Sequence, residues 1–336
     1  MKIITLEEHY SCDYLRKVSS KYGPSSKLKD LPDEYKQKLN SMRFIGNSLD
    51  DVDNERFKFM EEQKVDVQVL SYTSPISDSV PVEEAVKIAK EANNILADIV
   101  KRYPDKFLAF ATLPMGDPIA AAEELERCVK ELHFVGVLIT GPWNGRFYDD
   151  PFFFPIFEKA AELDVPVYWH PEFPNGKIQS YYYLSKSYPD IVGMEFATAG
   201  FGWHLDVGLQ MTRLILSGIF DKLPNLKFIS GHWGEGIPSM IDRMDQIMKP
   251  QITGLKKKIS EYFHDNVYYT PSGIMSKDQF DYMVKVFGAD HILWALDYPY
   301  IPFDFCTTDF LLNSYLSDEE KELIAHKNAE KLFHLE

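Results

Sequence analysis

The amino-acid sequence predicts an α/β fold, a (β/α)8 barrel in one domain over residues 1–336. Three observations carry this. Eight short apolar runs recur along the chain, each of strand length and bounded by turn residues. Segments with helical spacing separate them, the arrangement of successive βαβ units. No Gly-rich dinucleotide fingerprint follows the first run, which removes the commonest use of the rival doubly wound sheet. A content of 45% apolar and 26% charged residues is ordinary for a globular chain, and 336 residues suffice for one large core.

The elements follow in order. Ile3, Ile4 and Leu6 open a first strand that ends in Glu7, Glu8 and His9. Residues 11–50, rich in Lys, Ser and Pro with little apolar periodicity, read as a long loop covering the strand end. Tyr14, Tyr22 and Phe44 are its candidate aromatic contacts. A helix over 52–63 leads to a strand at Val65–Ser71. A longer helix, Val82–Tyr103, is stopped by Pro104 and precedes the strand Phe107–Leu113. An Ala-rich helix at 118–132 precedes the strand Phe134–Thr140. Pro151 suits the first turn of a helix ending near Leu163, and Val165–His170 is the fifth strand. An aromatic, irregular stretch containing Tyr181, Tyr182 and Tyr183 comes before a helix at Val207–Phe220. Leu226–His232, Asn266–Thr270 and His291–Asp297 complete the strands. Ser317 and Glu320 form a capping pair at the start of the last helix.

The chemistry stands at the strand ends. Alternation along a strand sends Glu7 and His9 to one side and Glu8 to the other. Strand five ends in His170, strand six in His232 and strand eight in Asp297. In a (β/α)8 barrel these ends share one face, where catalytic groups gather. Glu7, His9, His170 and Asp297 offer two nitrogens and two carboxylates, a set suited to Zn, Mn or a similar ion. His232 stands in GHWGEGIP, where Glu235 can hydrogen-bond its ring and fix the tautomer. That pair reads as acid/base or substrate-orienting machinery; the other reading of His232 is a fifth metal ligand. Asp297 begins DYPY, which places Tyr300 nearby. His204, in GFGWHLD, reads as a residue near the mouth without an assigned role.

A net charge of −15 argues against a nucleic-acid or anionic-membrane surface. Cys12, Cys128 and Cys306 are too few and too scattered for a disulfide framework or a thiolate zinc site. With no leader-like or membrane-spanning run, the expectation is a soluble cytoplasmic protein.

LEEH at the start, YWHPE at His170, LILSGIFDKLPNLKFISGHWGE through His232, ALDYPY at Asp297 and the closing KNAEKLFHL resemble the amidohydrolase superfamily. More narrowly they resemble its metal-dependent non-oxidative decarboxylases, the aminocarboxymuconate-semialdehyde decarboxylase branch. The superfamily's commoner opening is H-x-H; Glu7-x-His9 resembles instead the γ-resorcylate and 2,3-dihydroxybenzoate decarboxylase subgroup, which acts on ortho-hydroxybenzoates. The resemblance implies metal ligands at Glu7, His9, His170 and Asp297 and a catalytic His232–Glu235 pair. It implies substrate contacts at Arg243, Arg56 and Tyr300. In the mechanism that follows, Asp297 is the candidate proton donor, with His232 the other choice. The resemblance also implies one divalent ion, Mn or Zn ahead of Mg, with no organic cofactor, and a homodimer or homotetramer. The expected reaction is reversible loss of CO2 from an ortho-hydroxybenzoate. The runner-up is a metal-dependent hydrolase of an ester, lactone or amide on the same barrel.

Overall fold

The structure is a computed structural model that describes residues 1–23, 25, 31, 33, 49–72, 76–301 and 307–335. Phe44 and Cys306, and most of residues 24–48, lie outside the described residues. Eight strands form one sheet: β1 Ile4–Tyr10, β2 Val67–Tyr72, β3 Phe107–Ala111, β4 Gly136–Thr140, β5 Val167–His170, β6 Phe228–Ser230, β7 Val267–Tyr269 and β8 Trp294–Ala295. Their order is β7-β6-β5-β4-β3-β2-β1-β8, and every pairing is parallel. A single parallel bridge, Tyr269 to Ile292, links β7 to the approach to β8, so the sheet curls round on itself.

The strands are covered on both sides, and most of their residues are apolar. Ile4, Leu6, Val69, Phe110, Leu138, Tyr168 and Ile229 fill the inside of the curl. The chain's own C-terminus supports this inner cluster, with Phe333 lying edge-on to Phe110 at 5.8 Å. Ile3, Leu70, Phe107, Val137, Trp169 and Trp294 face outward into the layer packed by the helices. The helix Val82–Arg102 shows the pattern, burying Ala85, Ile88, Ala92, Leu96 and Ile99 at helical spacing. The Ser317–Glu320 capping box forms as expected.

Four expectations need correction. Residues 11–50 do not begin as a loop, because Asp13–Tyr22 is a helix that buries Leu15 and packs Val18 and Tyr22 against the core. Those three positions are spaced for one helical face, a stripe the Lys- and Ser-rich composition disguised. The stretch after strand five is not irregular throughout, since Asp190–Ala197 is helical and the next helix already begins at Gly202. That helix ends at Leu216, before Gly218 at φ 74°. Strands six and eight stop short of His232 and Asp297, whose backbones are left-handed at φ 49° and 59°.

Candidate active site

β1 does not run straight to its end. Its register with β2 shifts between Thr5 and Glu8, and Glu7 has φ 58°. This irregularity swings Glu7 into the pocket beside His9. Tyr168 and Ser272 both donate to Glu7 Oε2, and Tyr168 Oη also lies 3.0 Å from Thr270 Oγ1. The carboxylate is thereby held by one oxygen. Its other oxygen, Oε1, is buried without a hydrogen-bond partner among the described residues, 3.3 Å from His170 Nε2 and 3.8 Å from His232 Nε2.

His9 is in the same condition. Both ring nitrogens are buried and unpartnered among the described residues, and Nε2 lies 3.2 Å from Asp297 Oδ1. Its ring meets His170 edge-on at 4.9 Å and Tyr300 at 5.1 Å. Ligand atoms of Glu7, His9 and His170 all fall within 4.8 Å of one another. Buried polar atoms left unpaired are costly. Here oxygen and nitrogen donors of one converging set are left open together, and that set fits a divalent cation.

Charges in the site are arranged in opposition. Burial alone pushes Glu7 upward, but His232, His170 and His9 outweigh it and hold its carboxyl far below the usual range. Burial, then the neighbouring Glu7 charge, hold Asp297 well above its usual range, with His232 pulling the other way. Burial, reinforced by His170, pushes His9 down to about 3, so the ring is neutral and able to ligate. Burial opposes protonation of His232 as well, yet Glu235 and then Glu7 raise it to about 10.

His232 is presented by a turn rather than a strand. His232, Trp233, Gly234 and Glu235 have φ of 49°, 57°, 84° and 55°. Glu7, His232, Glu235 and Asp297 are therefore all left-handed non-glycine residues, a conformation that costs of order 1–3 kcal/mol each and collects at functional sites. The turn brings His232 Nδ1 to 2.8 Å from Glu235 Oε1, inside a fully buried carboxylate. His204 Nδ1 reaches the second oxygen of the same carboxylate at 2.6 Å.

Of the residues expected to touch substrate, Tyr300 borders the set through His9. Arg243 lies on the helix Ile241–Ile247, exposed. Arg56 is not brought into the pocket. It is fully buried behind β1, its guanidinium bonded to the carbonyl of His9, to Gln68 Oε1 at 3.1 Å and to the carbonyl of Asp51 at 3.0 Å, above the Tyr298 ring. Sequence reasoning missed Tyr168, Ser272 and the engagement of His204. Tyr168 stands two residues before His170 on β5, so strand alternation already pointed it inward. Ser272 lies just past β7, one of the strand ends from which no group was drawn. His204 carried no such signal, since it sits on a helix outside the strand pattern.

A parallel eight-stranded sheet carrying carboxylates and histidines just beyond its strand ends defines a metal-dependent barrel-type enzyme. The chain matches the amidohydrolase family over residues 47–335 and belongs to it. Within that family it is 32% identical to a γ-resorcylate decarboxylase of Rhizobium sp. (strain MTP-10005), over 99% of this chain and 98% of the relative. It is 34% identical to a γ-resorcylate decarboxylase of Polaromonas sp. (strain JS666), with the same coverages. Among solved structures it resembles the Polaromonas dihydroxybenzoic acid decarboxylase with bound manganese and 2-nitroresorcinol. That likeness has a TM-score of 0.80 and 31% identity, covering 99% of this chain and 97% of the other. A 2,6-dihydroxybenzoate decarboxylase in complex with 2,6-dihydroxybenzoate superposes with a TM-score of 0.83 at 30% identity, over the whole of both chains.

Proposed function

We propose that this protein is a divalent-metal-dependent, non-oxidative decarboxylase of ortho-hydroxybenzoates of the dihydroxybenzoate or resorcylate type. One observation carries the reading: Glu7 Oε1 and His9 Nε2 stand open beside His170 and Asp297, while a separate His232–Glu235 pair faces the same space. Glu7, His9, His170 and Asp297 would hold the ion, and manganese in the Polaromonas relative supports that choice ahead of zinc or magnesium. When bound, the ion supplies positive charge for a substrate phenol and carboxylate and a fixed template for the ring.

The remaining steps belong to the protein. The aryl carbon bearing the carboxylate takes a proton, which breaks ring aromaticity. The C–CO2 bond then breaks, its electron pair returns to the ring, and CO2 leaves. Asp297, 3.2 Å from His9, and His232, 3.8 Å from Glu7, are the two candidate donors. Glu235 orients His232 by accepting from Nδ1, which leaves Nε2 toward the pocket. Tyr300 and Arg243 are proposed substrate contacts. Microscopic reversibility gives ring carboxylation at high bicarbonate.

Residues 1–336 act in this reading as one domain, a closed (β/α)8 barrel with residues 11–50 as its cover. The Tyr269–Ile292 bridge supports closure, and Leu31, buried against Met194, Phe173 and Leu184, supports a cover seated on the segment after β5. Tyr181, Tyr182, Val192, Phe201, Leu205 and Leu209 are exposed on and beside that segment. An apolar surface of this kind supports a homodimer or homotetramer. No helix among the described residues is long and apolar enough to cross a membrane. The free thiols of Cys12 and Cys128 support a cytoplasmic location.

The test is metal analysis of the purified protein, followed by a panel of hydroxybenzoates and of esters and lactones assayed with manganese. CO2 release from at least one ortho-hydroxybenzoate is expected. Cleavage of esters or lactones with no CO2 from any benzoate would establish the hydrolase instead.

A further inference from the structure

Glu235 is fully buried, and its two oxygens are claimed by different imidazoles. Oε1 faces His232 Nδ1 at 2.8 Å and Oε2 faces His204 Nδ1 at 2.6 Å. The two rings lie 4.4 Å apart, centroid to centroid, at 57°. They come from unconnected elements, His232 from the turn after β6 and His204 from the helix Gly202–Leu216.

The groups around His204 place a proton on its Nδ1. Trp203 Nε1 lies 3.1 Å from His204 Nε2. An indole N–H can only donate, which suits a bare Nε2, while on the other side of the ring the Glu235 carboxylate can only accept, which puts a proton on Nδ1. The carbonyl of Ala199, 3.0 Å from the same Nε2, stands ready for the doubly protonated ring. In either state Nδ1–H points at Glu235. A carboxylate held at one oxygen by His204 cannot turn away from His232 without abandoning a buried hydrogen bond.

We propose that His204 is a positioning residue for the decarboxylation. It locks Glu235 in a bridging orientation, which keeps His232 Nδ1–H donating to Glu235 and Nε2 directed into the pocket. The proposal rests on the decarboxylase reading above and adds a second imidazole, from the segment after β5, to the His232–Glu235 pair.

The experiment compares His204→Phe, which keeps a ring and loses the donor, with His204→Asn, whose side-chain amide can still donate toward Glu235. Both are assayed as full-length, manganese-loaded enzyme on the best substrate of the panel. His204→Phe should lower kcat about 10- to 100-fold, the usual cost of losing an orienting partner one bond removed from the reacting groups. KM and metal content should stay within about twofold, because His204 touches neither substrate nor ligand set in this scheme. His204→Asn should recover most of the lost kcat. If the Phe variant fails to fold, His204→Leu takes its place. An unchanged kcat in the donor-less variant, or an Asn variant as impaired as the Phe one, overturns the proposal. So does a loss that appears in KM alone.

Nitrogen-15 spectra of the imidazoles in zinc-loaded wild type and in the donor-less variant separate this from failure of the decarboxylase reading. A His232 whose Nδ1 resonance does not shift without His204 refutes the positioning role, whatever reaction the enzyme performs. A wild type inactive on every hydroxybenzoate refutes the decarboxylase reading and, with it, the role of His204 in that reaction.

Discussion

Glu7 and Glu8 are neighbours in the chain and equally inaccessible to solvent, yet β1 puts them in two different environments. In front of the strand, Glu7 faces three imidazoles that hold it ionised, with one oxygen left open. Behind it, Glu8 accepts from the amides of Leu296 and Tyr298 and from Gln68, close to the Arg56 guanidinium. Burial nevertheless raises Glu8 to about 8, the amides and Arg56 pulling back. The back of the strand is a closed network in which each carboxylate oxygen has its donors. The front is an incomplete one. Burial is the same on both sides, so what separates a structural acid from a ligand is whether its partners are already present.

Breaking the front should cost most. His170→Ala should leave a folded barrel without its metal, because it removes one of the three nitrogens that converge on Glu7. Activity is expected to fall on the order of 10³-fold, the loss of several kcal/mol of charge stabilisation. Atomic emission on the purified variant checks the metal and circular dichroism the fold; full metal stoichiometry would sink the ligand assignment. His232→Gln should fall next, by about 10²-fold in kcat, while keeping its metal. Retained turnover would remove His232 from the reaction. Tyr168→Phe probes what supports the front by taking one donor from Glu7 Oε2. Metal affinity should weaken about 10- to 100-fold, read by competition with a chelating dye. Unchanged affinity would mean that Ser272 alone holds the carboxylate.

The front of the strand was largely legible in the sequence. Buried parallel strands are apolar runs, so a polar residue closing one is conspicuous, and Glu7, His9, His170 and Asp297 stood out in this way. Their convergence needed only the barrel topology. What remained hidden was backbone conformation. The register shift that turns Glu7 inward, and the left-handed turns at His232 through Glu235 and at Asp297, are imposed by packing and have no residue signature beyond a few glycines. Arg56 shows the complementary limit. A guanidinium behind a strand and one in a pocket are the same letter, and only its bonds to the His9 carbonyl and Gln68 place it behind. His204 shows another, because it lies in the first turn of the helix after β5, ahead of the start that apolar spacing marks.

The back of the strand offers the most directional test. Glu8 binds its proton more tightly in the folded chain, at about 8, than at its ordinary 4.5. Between those values the folded state holds more protons than the unfolded one, so raising the pH through this window subtracts stability. Glu8→Gln resembles the neutral acid and cannot ionise. At about pH 5 it should differ little from wild type. By about pH 8 wild type should have lost a few kcal/mol relative to the variant, approaching about 1.4 kcal/mol for each pH unit between the two values. Urea unfolding of both proteins across this range, at fixed metal content, isolates the difference from every other titrating group. Parallel curves would show that Glu8 is already ionised at low pH, its donors having outweighed burial, and the two sides of β1 would then differ only in whether their oxygens are occupied.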